Sequence, residues 1–250
     1  MSSDWLRPDW QAPGVGALMT TRRGGVGAAP FDSMNIRAGI GDNDRHVDAN
    51  RRLLRDAIGA EPVWLNQVHG ARVVRLGAAD LQPGAAVHDA DASLTTEAGI
   101  ACTAQVADCL PVLFAAPGAV AAAHAGWRGL AGGVLEATVA ALCQAAGCAP
   151  SDIRAWLGPC IGPRRFEVGA DVPAAFGAGA DPARSARFAP LREGKWLADL
   201  AGLARDRLQG SGVVDVGGGH WCTVADASRF FSFRRDRVTG RMVAAVWLIG

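Results

Sequence analysis

Three side chains far apart along the chain, His69, Cys109 and His124, carry the donor types that a transition metal takes from a protein. A thiolate binds zinc at about 2.3 Å and an imidazole at about 2.0–2.1 Å, and two imidazoles with one thiolate leave a fourth position open to a reactant. The same trio is the core ligand set of a blue-copper centre, for which Met34 or Met19 offers an axial sulfur. Residue type alone does not choose a metal, or even require one. A cysteine in an apolar run is as a rule a buried, inert thiol, and a histidine at a strand end a hydrogen-bonded structural residue. The separations also lack the tight spacing that makes structural zinc sites readable.

A hairpin would bring two of the three together. Val112 to Ala115 and Val120 to Ala123 are apolar runs flanking a short Ala-Pro-Gly turn, the pattern of an antiparallel pair. A turn centred between Ala116 and Pro117 sets Cys109 directly opposite His124, with Cβ atoms about 4.5–5.5 Å apart on one face. A one-residue slip would separate the two faces, and Pro111 implies an edge or irregular start to the first strand. His69 closes the polar cluster Asn66-Gln67-Val68-His69-Gly70 at the end of an apolar run, where functional side chains tend to sit. Asp108 and Gln67, each near a candidate ligand in sequence, could move protons or orient a substrate.

After His124 the chain runs Ala125-Gly126-Trp127-Arg128-Gly129 into a helical pattern. Free N–H groups there would favour an anion, and Arg128 offers a planar charge suited to phosphate; a tight turn packed by Trp127 fits the same residues. Cys160, in Gly158-Pro159-Cys160-Ile161-Gly162, could approach the site or fill space. His46, His88 and His220 lie in a charged helix start, an acidic loop and a glycine run, and make poorer ligands.

The elements that must position these residues follow from periodicity. Strands are expected at Val15 to Thr21, Val63 to Gln67, Val73 to Leu76, Ala92 to Thr95, Val112 to Ala115, Val120 to Ala123, Ile153 to Leu157 and Val243 to Ile249. Helices are expected at Val47 to Ile58, Leu130 to Ala146 and Trp196 to Leu208. In the second, Leu130, Val134, Leu135, Thr138, Val139 and Leu142 share a face and Gly147 supplies the stop. Strands come in neighbouring runs rather than strict alternation with helices, which favours an α+β protein over a doubly wound sheet. The segment from Val172 to Pro190, rich in Ala, Gly and Pro, reads as a long excursion without a domain boundary. At 250 residues, one domain spanning 1–250 is expected.

Composition narrows the chemistry further. The net charge of +1 gives no pull toward nucleic acid or an anionic membrane. Lys195 is the only lysine, and its surroundings resemble neither a P-loop nor a Schiff-base site. Six cysteines without a CxxC pair, an N-terminus without a signal-peptide pattern and no apolar run long enough to span a bilayer point to the cytoplasm. Five histidines without a His-x-His pair are too few for a multicopper cluster.

Several blocks, in order from about residue 15 to the end, resemble the signatures of one family. They are Thr20-Thr21-Arg22 with Gly24-Gly25-Val26, Pro30-Phe31 with Ser33-Met34-Asn35, Asn66-Gln67-Val68-His69-Gly70, Ala107-Asp108-Cys109-Leu110-Pro111, His124-Ala125-Gly126-Trp127-Arg128-Gly129, Gly158-Pro159-Cys160-Ile161-Gly162 and Phe230-Phe231-Ser232-Phe233-Arg234-Arg235-Asp236. The family is the laccase-domain family, long labelled multicopper polyphenol oxidase and now associated with purine nucleoside phosphorylase activity. Some bacterial members are described as peptidoglycan editing factors.

The resemblance implies an α/β/β/α layered fold with mixed sheets flanked by helices, and a zinc site at His69, Cys109 and His124. It implies phosphate-dependent cleavage of adenosine, inosine, guanosine and methylthioadenosine, with adenosine deamination as a companion reaction. Purine nucleosides and inorganic phosphate would then be the partners of a monomer or small homo-oligomer. Arg22, Asn35, Gln67, Arg128 and Arg234 become the candidate substrate-binding residues, the arginines as phosphate clamps, and Asp108 joins the trio as a catalytic candidate. The alternatives are a copper-dependent, laccase-like polyphenol oxidase and a factor editing peptidoglycan precursors. The chain has no tyrosine; Phe166 and Phe233 stand where the family often has one, so any role of a phenolic hydroxyl is missing or taken by another group.

Overall fold

A computed structural model describes residues 4–178 and 185–250. The strands are Val15–Met19 (β1), Glu61–Val63 (β2), Val73–Arg75 (β3), Ala92–Thr95 (β4), Ile100–Val106 (β5), Leu110–Ala116 (β6), Ala119–Ala125 (β7), Arg154–Leu157 (β8), Glu167–Val168 (β9), Phe188–Arg192 (β10), Lys195–Ala198 (β11), Asp215–Gly218 (β12) and Met242–Leu248 (β13). The helices are Asp44–Ile58 (α1), Trp127–Ala131 (α2), Val134–Ala146 (α3), Asp171–Ala175 (α4), Leu200–Gly210 (α5) and Phe233–Asp236 (α6). Two sheets form the body, one in the order β12-β8-β6-β7-β4-β3 and one in the order β1-β13-β5-β2, with a small β10-β11-β9 sheet beside them. Parallel β3–β4, β8–β12 and β2–β5 pairs among antiparallel ones make both large sheets mixed.

Three apolar layers account for the stacking. Between the sheets, Cys102, Ala104, Val106, Ala244 and Val246 meet Leu113, Val120, Ala122 and Trp156. On the other face of the six-stranded sheet, Val112, Phe114, Ala121, Ala123 and Leu157 pack with Leu135, Val139 and Leu142 of α3 and Leu200, Leu203 and Leu208 of α5. Behind the four-stranded sheet, Leu18, Ala101, Val243 and Ala245 pack with Leu54 and Ile58 of α1. The central strands β6 and β7 therefore bury both pleat faces, which is why β6 is apolar throughout and β7 is apolar up to His124. The layers run helix, sheet, sheet, helix, as the family resemblance implied.

Local chemistry sets the element ends. Asn43 caps α1 by accepting from the Arg45 N–H, and Gly59 closes it at φ 67°. The single helix expected over Leu130 to Ala146 is broken into α2 and α3 at Gly132 and Gly133, the latter at φ 90°. Gly147 ends α3 where expected. The third helix starts at Leu200 rather than Trp196, because Asp199 accepts from the Gly202 N–H and Trp196 pairs with Pro190 and Val168 in the small sheet. The strand expected at Val63 to Gln67 ends at Val63. The excursion over Val172 to Pro190 carries α4 and the start of β10, and its residues 179–184 lie outside the described residues. Among the described residues, no helix is long and apolar enough to cross a membrane.

The β6–β7 hairpin forms with a different register from the one expected. Pro117 and Gly118 are the two turn residues, with Ala116 opposite Ala119 and Gly118 at φ 70°, the arrangement Pro-Gly favours in a type II turn. Pro111, not Cys109, faces His124. The shift displaces the partner by two residues, an even number, so Cys109 keeps the parity that places it toward His124. β6 is an interior strand, and Pro111 is tolerated because pairing with β8 begins only at Val112.

Candidate metal centre

Pairing of Ala92 with Ala123 brings the residue before β4, Asp91, beside His124 at the end of β7. The His124 N–H donates to the Asp91 carbonyl at 2.7 Å, and His124 Nδ1 lies 2.8 Å from Asp91 Oδ1. The same carboxylate accepts from the backbone N–H groups of Val68 at 3.2 Å, His69 at 2.9 Å and Gly70 at 2.6 Å. Asp91 is 1 % exposed, so these bonds are shielded from water. One carboxylate thus fixes the ring of His124 and the backbone of His69, which sits at φ 62°. Its hold on Nδ1 leaves Nε2 of His124 for a metal, the usual carboxylate–histidine–metal arrangement.

Cys109 enters from the turn before β6. Asp108, at φ 92°, accepts from the Thr223 hydroxyl at 2.5 Å and from the Arg234 backbone N–H at 2.6 Å. Its carboxylate is engaged in tying the cysteine loop to the start of α6, and it does not line the cavity beside the trio. Cys109 Sγ lies 3.7 Å from His69 Nε2, and one ligand atom from each of the three residues lies within 4.8 Å of the others. Tetrahedral bonds to zinc would separate sulfur and nitrogen by about 3.6 Å. The two imidazole rings stand edge to face, 4.7 Å apart at 83°. Gly126 permits the convergence, since a Cβ there would sit 2.7 Å from His69 Cδ2 and 3.1 Å from Cys109 Sγ. The donor set and its spacing fit one zinc or copper ion with an open position. Among the described residues, no second group of three such side chains converges.

Electrostatics agree with that fit. Burial pushes the Cys109 thiol up, but attraction to His124 and hydrogen bonds from both histidines outweigh it, bringing the group to about 6. Burial likewise pulls His124 down, while the Cys109 thiolate and Asp91 outweigh it and raise the imidazole to about 9. Burial pushes the Asp91 carboxyl up, and the bonds from His124 and Gly70 hold it below its ordinary range. By contrast, burial raises the Cys160 thiol well above its ordinary value; it packs in the core with Ile161.

A cavity of about 390 Å³ opens over the trio, walled by Gln67, Gln105, Phe233, Arg37 and Arg241. Gln67 pairs both ends of its amide with the Gln105 backbone, donating to the carbonyl and accepting from the N–H, each at 2.8 Å. Gln105 Oε1 is buried without a hydrogen-bond partner. Of the residues expected from sequence, the trio and Gln67 meet here. Asn35 is buried behind the wall. Arg22, Arg128 and Arg234 do not line the cavity: Arg22 bonds Asp32 and the Ala227 carbonyl, Arg128 lies over Trp127, and Arg234 bonds the Glu167 carbonyl over Phe166. Met34 is buried in the layer against α1 and Met19 between the sheets, and neither lines the cavity. Sequence reasoning missed Asp91, Gln105, Arg37 and Arg241.

An α/β/β/α sandwich holding two histidines and one cysteine beside one end of the central strands β6 and β7 of its larger sheet defines a protein with one candidate mononuclear metal centre. The model of the multi-copper polyphenol oxidoreductase laccase family matches residues 16–249, and the chain belongs to that family. It is 49% identical over 247 residues to a purine nucleoside phosphorylase of Pseudomonas aeruginosa, covering 98% of each chain. It is also 49% identical to the purine nucleoside phosphorylase YfiH of Escherichia coli, covering 99% of this chain and 100% of that one. Among solved structures, protein NMB0706 of Neisseria meningitidis superposes with a TM-score of 0.91 at 45% identity, over 99% of this chain and 100% of the other. YlmD of Geobacillus stearothermophilus gives 0.92 at 34% identity, over 100% and 98%.

Proposed function

We propose that the chain, as one domain over 1–250, is a zinc-dependent purine nucleoside phosphorylase acting on adenosine, inosine, guanosine and methylthioadenosine, with adenosine deamination as a second reaction. The carrying observation is the trio of His69, Cys109 and His124 lining a cavity large enough for a small ligand. Two relatives at 49% identity named as purine nucleoside phosphorylases support the substrate class.

Zinc held by the three residues would supply a Lewis acid with an open position. Phosphorolysis forms a bond from phosphate oxygen to the sugar C1′ and breaks the bond from C1′ to the purine nitrogen, which keeps the electron pair and takes a proton. In this reading Phe233, 46 % exposed, offers an apolar face to the base, and Gln105 Oε1 an acceptor for a base N–H. Gln67 stiffens that wall through its paired amide. Asp91 keeps both histidines in place throughout. Deamination replaces the exocyclic amine of adenine at C6 by water oxygen and releases ammonia in the same cavity. A cytoplasmic enzyme fits the six free cysteines.

Incubating adenosine with the protein, with and without phosphate, tests this. The expected products are adenine with ribose 1-phosphate when phosphate is present, inosine with ammonia when it is not, and neither from Cys109→Ala. Failure to consume any purine nucleoside would overturn the reading. The copper alternative has the family's description in its favour; an intense blue thiolate-to-copper absorption in the isolated protein would establish it.

A further inference from the structure

Arg37 and Arg241 both line the cavity. Among the described residues no carboxylate forms an ion pair with Arg37 or Arg241. Arg241 spends one nitrogen, Nη1, on the carbonyls of Thr239 and Gly240 and leaves the rest of its fork free. Its Cζ lies 5.7 Å from the centre of the Phe233 ring, which holds the group at the cavity wall. Both arginines are half-buried. Burial and the nearby positive charge of Arg37 weaken the hold of Arg241 on its proton and outweigh the opposite pull of Cys109 and Asp108. Two like charges drawn together out of water are unfavourable unless an anion joins them.

The pair is built, not incidental. Asn35 is fully buried, and its Oδ1 accepts from the backbone N–H groups of Arg37 at 3.1 Å and Arg241 at 2.9 Å. Its Nδ2 donates to the Arg37 carbonyl at 3.1 Å and to Asp42 at 2.8 Å. One carboxamide therefore sets the separation of two segments about 200 residues apart. Gly240 lets them approach, since a Cβ there would lie 2.8 Å from Asn35 Cβ. Arg22 and Arg234 lie outside the cavity with their guanidiniums already bonded to neighbours, and Arg128 is stacked on Trp127.

We infer that Arg37 and Arg241 form an oxyanion clamp that binds the phosphoryl group of the reaction, with Asn35 as its positioning residue. A planar fork from each side suits the tetrahedral dianion of inorganic phosphate, or the phosphoryl group of a sugar 1-phosphate in the reverse direction. The identity of the anion rests on the phosphorolysis reading, whereas the clamp rests on the geometry.

The test is calorimetric titration of inorganic phosphate, and separately of ribose 1-phosphate, into the zinc-loaded full-length protein. Arg37→Gln and Arg241→Gln should each weaken phosphate binding by about tenfold to a hundredfold. Arg241→Lys should recover part of the loss, and the exposed control Arg52→Gln should bind phosphate as the wild type does. In kinetics, the two glutamine variants should raise the KM for phosphate and leave the KM for nucleoside nearly unchanged. Among the described residues the Arg37 side chain makes no hydrogen bond, only its backbone does, so Arg37→Gln should keep the wild-type melting temperature and remain interpretable if Arg241→Gln does not fold. Wild-type phosphate affinity in folded Arg37→Gln would overturn the clamp, as would no phosphate binding by the wild type at millimolar concentration. Phosphate bound through these arginines without nucleoside turnover would retain the clamp and discard the phosphorylase reading. Turnover with an unchanged phosphate KM in Arg37→Gln would do the reverse.

Discussion

The carboxylate of Asp91 lies 2.8 Å from Nδ1 of His124 and, through the same oxygen, 2.9 Å from the backbone nitrogen of His69. Two candidate ligands 55 residues apart are thereby referenced to one buried group. Rigid support of this kind matters because a metal site loses affinity when its ligands must be ordered at the moment of binding.

Replacing Asp91 with Ala should lower zinc affinity by about 10–100-fold, as loss of an outer-shell carboxylate does elsewhere. It also strands three backbone N–H groups, so thermal stability should fall as well. Asp91→Asn keeps the size of the side chain but can no longer balance a charged imidazole, and should fall between. Competition with a chromophoric chelator measures the affinities; an unchanged value in folded Asp91→Ala would remove Asp91 from the site.

Gly126 and Gly210 make a paired test. A methyl group at Gly126 meets His69 Cδ2 at 2.7 Å and Cys109 Sγ at 3.1 Å, whereas one at Gly210, at the end of α5, meets nothing within 4 Å. Gly126→Ala should lose bound metal with a modest change in melting temperature. Gly210→Ala should keep the metal and be neutral or more stable by up to about 1 kcal/mol, from helix propensity alone. Metal content and melting curves of the two variants decide the matter.

The metal-stripped protein should show an acidic thiol. With Cys109 brought to about 6 and His124 raised to about 9, the pair is thiolate and imidazolium near neutrality. Alkylation of Cys109 should rise through pH 6 and be near its plateau by pH 8, where an ordinary thiol is still mostly protonated. Zinc should suppress the reaction. The sign for stability follows from His124: its charged form favours the folded apoprotein fully below the ordinary imidazole value, and that contribution fades as pH rises through about 9. Mass spectrometry of alkylated Cys109 across pH reads the first effect, and a midpoint near 9 would contradict it.

The ligands were legible in the sequence, whereas their supports were not. His69, Cys109 and His124 stand in compact blocks, the two histidines with a glycine close behind, whose order along the chain is specific. The hairpin between the last two was visible from its apolar runs, although the turn fell at Pro117–Gly118 and moved the register by an even step. Asp91 was hidden because an aspartate in an acidic loop reads as solvated, and only the pairing of β4 with β7 buries it. Its one local signal was its place immediately before the apolar run of β4. Arg37 and Arg241 share no local pattern, since a single asparagine joins them across the chain. β5 was overlooked because Thr103 and Gln105 interrupt the apolar run of Ile-Ala-Cys-Thr-Ala-Gln-Val, and its pairing with β13 and β2 is what makes it a strand.

The central claim, that one metal held by His69, Cys109 and His124 is needed for nucleoside cleavage, is tested most directly by stripping the protein of metal. Zinc is then added back while phosphate-dependent release of adenine from adenosine is followed. The expected result is loss of turnover on stripping and recovery that saturates at one zinc per chain, with no recovery in Cys109→Ala. Full turnover by a protein shown to be metal-free would contradict it.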